Sequence, residues 1–359
     1  MKARIVYLYA FDVADEIRTS QVRELMSQKP FPFQIRVGAT VPRDVPIYTP
    51  LTIALPVEEE ETAVGRVVLK PYVKIFEVGV ISVSYEVDVD VRDLPALRVY
   101  HQLAPGGAPL TTRAELVAAQ VSESLKPFMT RPSAERPPVE AYTVFCTSDV
   151  DGPLKDWAQA RRQDVAALLN EEEPGRLSSE QVDETWDNSL SYTVDDLTVI
   201  DWDAALVIDR SGYYDDVLYV IELANLQLEE YRLLDDRLDR LFDKAYDDLE
   251  RYGGMRVLVT PATPLRSLRS IRMDITKMSE ELSNITKFVG DWYLARVYLA
   301  AKDRFHLGTW EASVDQKLQE LDRVYTIFME EIQGRRMLLL EAMIVALFII
   351  DLVAIFLLK

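Results

Sequence analysis

Four sets of side chains in this 359-residue chain have types and spacings that can do chemistry. Asp201 and Asp203 flank Trp202. On a strand, residues two apart point the same way, so both carboxylates can face one hard cation. Asp195, Asp196, Asp209, Asp215 and Asp216 lie close enough in sequence to complete a shell. The competing reading is a solvated strand face in an acidic chain, and the composition favours it, so Asp201 and Asp203 stand as weak metal candidates and no metal site is assigned. Glu341 and Asp351 stand inside the apolar run 337–358. A carboxylate at mid-bilayer costs at least ~2.5 kcal/mol, so it faces a helix bundle or a water-filled path unless it reaches the interface. Asp351 is harder to excuse that way than Glu341. Arg266, Arg269 and Arg272 recur at every third residue beside Lys277. They offer a docking face for an acidic partner or lipid headgroup. The reading that charge balance favours is pairing within the helical region, to Asp235, Asp236, Asp239, Asp243 and Asp247. Arg335 and Arg336 flank the apolar run on its N-terminal side, as cytoplasmic flanks tend to do.

Other chemistries are excluded by what accompanies these groups. The two histidines, His101 and His306, have no ligand spacing, and Cys146 is the single cysteine. No lysine of a phosphate-binding loop follows Pro105-Gly106-Gly107, and no nucleophile–base arrangement is visible. General acid–base work would rest on carboxylates alone. The chain is therefore read as non-enzymatic and without a cofactor. With 59 acids against 40 bases the net charge is -19, which repels nucleic-acid phosphates.

The elements that must carry these groups follow from periodicity. Residues 337–358 read MLLLEAMIVALFIIDLVAIFLL. As a helix they rise about 33 Å, enough to cross a hydrocarbon core of ~30 Å. Lys2–Phe11, Leu51–Leu55, Arg66–Phe76 and Val80–Val89 read as strands, the last with Ser82, Ser84, Glu86 and Asp88 on a wetter face. Asp12 reads as a helix cap for a helix to Leu25, and Glu58–Glu61 as a solvated loop. Thr112 and Glu115 suggest a capping box for a helix ending near Leu125. Residues 131–139, with three prolines, read as a linker. Beyond it come a strand at Glu140–Thr147, helices near 154–168 and 179–188, and one half-exposed strand over 198–209. From Tyr213 the apolar spacing becomes four-three. Val217, Ile221, Ala224, Leu228, Tyr231, Leu238, Phe242, Ala245, Leu249 and Tyr252 form a ladder broken by Asp235. Further ladders run from Leu268 to Trp292 and from Val314 to Ile332, with Gly308 as the break between them.

The fold class expected is α+β: an N-terminal α/β unit at 1–130, a linker at 131–139, a second α/β unit at 140–210, a coiled-coil-like helical stalk at 211–334 and one transmembrane helix at 337–358. The N-terminus, MKARIVYLYAFDVADE, is too short and too acidic for a secretory signal. The expected location is a membrane, crossed once by a tail anchor, with the N-terminal bulk cytoplasmic. The partners expected are the bilayer, further copies of the chain through the stalk, and a protein whose identity the sequence does not give.

Four stretches carry a family resemblance. They are KIFEVGVISVSYE (74–86), LTVIDWDAALVID leading into VLYVIELANLQLEEYRLLDDRLDRL, KFVGDWYLARVYLAAKDRF (287–305), and RRMLLLEAMIVALFIIDLVAIFLL with its opening and closing acids Glu341 and Asp351. In these the chain resembles the "required for meiotic nuclear division" family of uncharacterised membrane proteins. That resemblance implies a membrane-associated, oligomeric, non-enzymatic protein linked to membrane or organelle organisation. The overall plan is also similar to CorA-type magnesium channels, which need two spans joined by a Gly-Met-Asn loop. One span, with Gly253-Gly254-Met255 in a soluble turn, counts against transport. The expectations are thus an anchored scaffold first, a cation-handling membrane oligomer through Glu341 and Asp351 second, and a metal-dependent enzyme through Asp201 and Asp203 third.

Overall fold

The computed structural model describes residues 1–25, 31–32, 50–133, 139–252, 273 and 292–357. The fold is α+β, built on one large sheet. Its centre is β1 (Lys2–Asp12), rich in Ile, Val, Leu and Tyr and buried along nearly its whole length. β1 pairs antiparallel with β7 (Val80–Asp90), from Lys2↔Asp90 to Asp12↔Val80. On its other side it pairs antiparallel with β9 (Glu140–Thr147), from Ala3↔Thr147 to Ala10↔Glu140. β6 (Gly65–Ile75), β4 (Leu51–Ala54) and β3 (Phe31–Pro32) extend the sheet beyond β7, and β5 (Glu58–Thr62) pairs with β6. On the far side β9 pairs parallel with β12 (Ala204–Asp209), followed by β11 (Asp196–Ile200) and β10 (Ser189–Leu190). β2 (Ala14–Ile17) and β8 (Met129–Pro132) form a separate two-stranded sheet.

This pairing replaces the expected division into α/β units at 1–130 and 140–210. β9 lies against β1, so the two stretches share one sheet and one core. The apolar period of a strand shows which face is buried, and it carries no record of a remote pairing partner.

Both faces of the sheet are covered. On one, Ile5, Tyr7, Phe145, Leu206, Val83 and Tyr85 pack with Leu97, with Leu110 and Ala114 of α2 (Leu110–Leu125), and with Val165 and Leu168 of α4 (Arg162–Leu169). Each such large side chain contributes about 1.5–3 kcal/mol by leaving water. The other face takes the part of α6 (Asp215–Tyr252) that runs up to Leu233. Ser82 and Ser84, expected on the wetter face, are buried here. Ser82 Oγ donates to Glu222 Oε1 at 2.6 Å, and Lys74 pairs with the same carboxylate. The expected ladder residues Val217, Ile221, Ala224, Leu228 and Tyr231 are buried, and so are Leu218, Tyr219, Leu226 and Leu233 between them. Glu222, Asn225, Gln227 and Glu229 are buried with them, and a helix buried on all its faces over this stretch is an interior helix, not the start of a stalk.

Other local expectations change with the same logic. The helix expected from Asp12 starts only at α1 (Thr19–Leu25), because the Gly79 carbonyl accepts from Val13 N at 3.0 Å and Ala14 N at 3.2 Å and draws that segment into β2. Gly79 has φ +93°, and an added Cβ would run into the Ala14 carbonyl. The acidic loop at 58–61 is β5, held by Arg113, which reaches Glu58 at 2.9 Å and Glu60 at 3.0 Å. α2 begins at Leu110 after Pro109 with no side-chain cap, so Thr112 and Glu115 do not form the expected box. The expected strand over 198–209 is two strands with a reversal at 201–203.

Two compact units divide the chain: Met1–Leu233 with Met278–Trp310, and Leu234–Lys277 with Glu311–Lys359. In the second, Val314, Leu318, Leu321 and Tyr325 are buried at seam spacing along α8 (Leu307–Leu357). Lys317 of α8 pairs with Asp235 at 2.8 Å and Asp239 at 2.6 Å, which explains the acidic break in the ladder of α6. Two of the acids expected to meet the arginine set are thus held by Lys317. Arg266, Arg269 and Arg272, and the expected ladder from Leu268 to Trp292 except for Trp292 itself, lie outside the described residues.

Candidate functional site

The sequence-derived candidates separate in space. Glu341 and Asp351 lie on α8, in the part from Met337 to Ala354 that is long and apolar enough to cross a membrane. The mean hydropathy there is 2.5 and none of it is buried. Arg335 and Arg336 belong to the same helix just before it. Asp201 and Asp203 do not share a face. Asp201 closes the end of β11, with its N–H donating to the Ala204 carbonyl at 2.9 Å, and its side chain is buried. Asp203 sits on the exposed turn. Among the described residues no group of three or more histidine, cysteine or acidic side chains is placed to hold a metal. The two acids therefore do not make the cation site that their spacing suggested.

What Asp201 does instead is organise a joint. Its Oδ2 accepts from Thr185 Oγ1 at 2.6 Å and from Asn170 Nδ2 at 3.0 Å. Its Oδ1 accepts from the Trp202 N–H at 2.7 Å and from Arg304 Nε at 2.9 Å, with Arg304 Nη2 as a further donor. Arg304 is the last residue of α7 (Trp292–Arg304), and its Nη1 also reaches Glu184 Oε1 at 2.7 Å. Thr185 and Glu184 come from α5 (Ser179–Asp187), and Asn170 follows α4. One carboxylate thus ties three helices to the β11–β12 reversal.

The turn between α7 and α8 is seated beside it. Phe305 and Leu307 are fully buried, and the Phe305 ring meets Tyr142 edge-on at 5.1 Å. Tyr142 in turn donates its hydroxyl to the Asp201 carbonyl at 2.8 Å. His306 takes φ +51°, the left-handed conformation that reverses the chain, and its ring lies 5.4 Å from Trp202. The break between the two helices therefore falls at His306 rather than at Gly308, which is inside α8. Arg232 pairs with Glu140 and stands 5.9 Å over Trp310 in the first turns of α8. The first turn of α8, up to Trp310, is held within the first unit by these contacts.

His101 also comes close. Its Nε2 is 2.7 Å from the Leu168 carbonyl and its Nδ1 is 3.2 Å from Glu171 Oε1. The carbonyl can only accept, so Nε2 carries a proton. The protonated ring satisfies both neighbours, and the neutral ring satisfies one. Burial holds the imidazole below its usual range, against the pull of Glu171. Burial and the Glu171 and Asp201 carboxylates push Asp203 up. Burial likewise raises Glu140, with Arg232 opposing it.

Sequence reasoning did not find Arg304, Thr185, Asn170 or His306 as a set. They come from three separate parts of the chain, around Asn170, Thr185 and Arg304–His306, and no spacing joins the three. Asp201 and Arg304 bring the 197–209 stretch together with the end of α7.

Over residues 2–215 the chain matches the family described as uncharacterized protein MJ0711, N-terminal domain. Uncharacterized protein MJ0711 of Methanocaldococcus jannaschii is 22% identical over 218 residues, covering 60% of this chain and 65% of that protein. The chain thus matches under two thirds of the length of this curated relative. No solved structure matches it. The family match takes in the strands of the sheet and stops where α6 begins.

Proposed function

We propose that this chain, which belongs to the MJ0711 N-terminal-domain family, is a membrane-anchored, non-enzymatic scaffold or interaction protein. The observation that carries the reading is α8. It is one unbroken helix of 51 residues, apolar and unburied from Met337 to Ala354. An unburied apolar helix of that length has a bilayer as its natural solvent. The positive-inside tendency of Arg335 and Arg336 supports a cytoplasmic side for the α/β unit. Self-association through the helical region accompanies this reading, since Glu341 and Asp351 are most cheaply placed in lipid when they face a neighbouring span. The resemblance to the "required for meiotic nuclear division" family implies the same kind of protein.

The test is fractionation of cells expressing the full chain beside a chain ending at residue 334. The full chain is expected in the membrane pellet after carbonate washing and in the soluble fraction only with detergent. The shortened chain is expected in the supernatant. Full-length protein that leaves the pellet with carbonate overturns the anchor, and with it the scaffold reading.

A further inference from the structure

β9 and β12 are adjacent and parallel, from Ala204↔Thr143 to Ile208↔Thr147. The chain leaves their carboxyl ends toward opposite faces of the sheet. After β9 it passes through 148–153 into α3 (Leu154–Ala160) and α4, whose Leu154, Val165 and Leu168 join the core with Phe145 and Leu206. After β12 it passes through Arg210 into α6, whose Glu222 meets Ser82 on the other face. Neighbouring parallel strands with connections to opposite faces make a switch point, and the crevice outside their carboxyl ends is where open α/β sheets hold ligands.

A cleft of about 730 Å³ lies there, within the ~300–1,000 Å³ of small-molecule sites. Its wall is mainly apolar, with Leu154, Trp186 and Val194, and three cations line it: Lys155, Arg162 and Arg210. In a chain of net charge -19 that is a local reversal of sign. The two acids in the lining are already engaged. Asp196 accepts from Tyr192 N and Thr193 N, both at 2.7 Å, and from the Thr193 hydroxyl at 2.5 Å. Asp195 stands 3.6 Å from Arg210, which also donates to the Gly152 carbonyl, so Lys155 and Arg162 are the less engaged cations. Arg162 lies 5.1 Å over the Trp186 ring, and its acid partner Asp183 is 70% exposed, so that pair holds it weakly. Lys155 has no ion pair among the described residues and is exposed.

We propose that this cleft binds a small aromatic anion, with a planar ring on the wall formed by Trp186, Leu154 and Val194 and a phosphate or carboxylate drawn by Lys155, Arg162 and Arg210. The ring gains the desolvation that Trp186 and Leu154 offer, and the anion gains charge-assisted hydrogen bonds.

The experiment is calorimetric titration of the full chain in lipid nanodiscs with AMP, indole-3-acetate and inorganic phosphate. AMP and indole-3-acetate separate phosphate from carboxylate as the preferred anion, and inorganic phosphate tests the need for a ring. At least one of the two aromatic probes is expected to bind, and inorganic phosphate to bind at least tenfold more weakly than that probe. Lys155→Glu, a surface change that leaves the core intact, is expected to weaken that probe tenfold or more. Ala158→Trp, which fills the cleft without touching its charges, is expected to do the same. Heats equal to dilution for both aromatic probes, phosphate binding as tightly as they do, or affinity unmoved by both substitutions overturns the proposal.

Discussion

Replacing Arg304 with Met removes the cation from a buried carboxylate while keeping most of the side-chain volume. The Asp201 side chain is 3% exposed and that of Arg304 11%. Breaking one side of such a pair costs about 3–5 kcal/mol, because the charge left behind has lost its compensation. Thr185, Asn170 and the Trp202 N–H still donate to Asp201, which places the expected cost near the lower bound, about 3 kcal/mol. The contact to Glu184, whose side chain is 56% exposed, adds under about 1 kcal/mol. With a urea slope of about 3 kcal/mol per M for a unit of this size, the midpoint falls by roughly 1 M. The assay is urea unfolding of the detergent-held chain followed by tryptophan emission, to which Trp202 contributes beside the joint. Asp201→Asn and the double variant complete a cycle. The double variant is expected to cost less than the sum of the two single ones by about 2 kcal/mol, since neither leaves a lone charge once both are gone. A shift under about 0.3 M for Arg304→Met, or a coupling near zero, would refute the role given to Asp201 as the tie between the β11–β12 reversal and the root of α8.

Gly79→Ala is expected to lower stability by at least about 2 kcal/mol in the same urea assay, from the positive φ together with the collision at the Ala14 carbonyl; a neutral change removes the account of why β2 forms. The His101 imidazole has a folded-state pKa held below its unfolded value of about 6.5, so the unfolded chain binds more protons in that window. Stability is therefore expected to fall as pH drops through and below about 6.5, and His101→Gln is expected to flatten that slope; parallel pH profiles of the urea midpoint would count against the geometry given for His101 and Glu171. Asp351→Leu is expected to leave the full chain assembled in detergent, or assembled more firmly, as read by light scattering with size exclusion. Dissociation into single chains would show that the Asp351 carboxylate itself holds the copies together, against assembly through the helical region.

Periodicity alone located β1, β4, β6, β7 and β9, the helix α5, the seam of α8 around Leu318 and Leu321, and the apolar segment from Met337. Each is a local pattern, in which the residues that share a face are neighbours at a fixed spacing. Composition likewise set the charge and left too few histidines and cysteines for a familiar metal or nucleophile site. Other features depended on pairings between distant segments. Val217 to Leu234 looked like a stalk helix because its four-three ladder is real, and only the sheet under Glu222 shows that its other faces are buried too. Asp201 and Asp203 looked like one pair because strand geometry was carried through a position where the chain reverses. The joint at Asp201, Arg304, Tyr142 and Phe305 has no local signature. A carboxylate and a guanidinium about a hundred residues apart satisfy each other only after the sheet and α7 have brought them together, and the low-dielectric interior that makes their attraction strong exists only once the chain has folded.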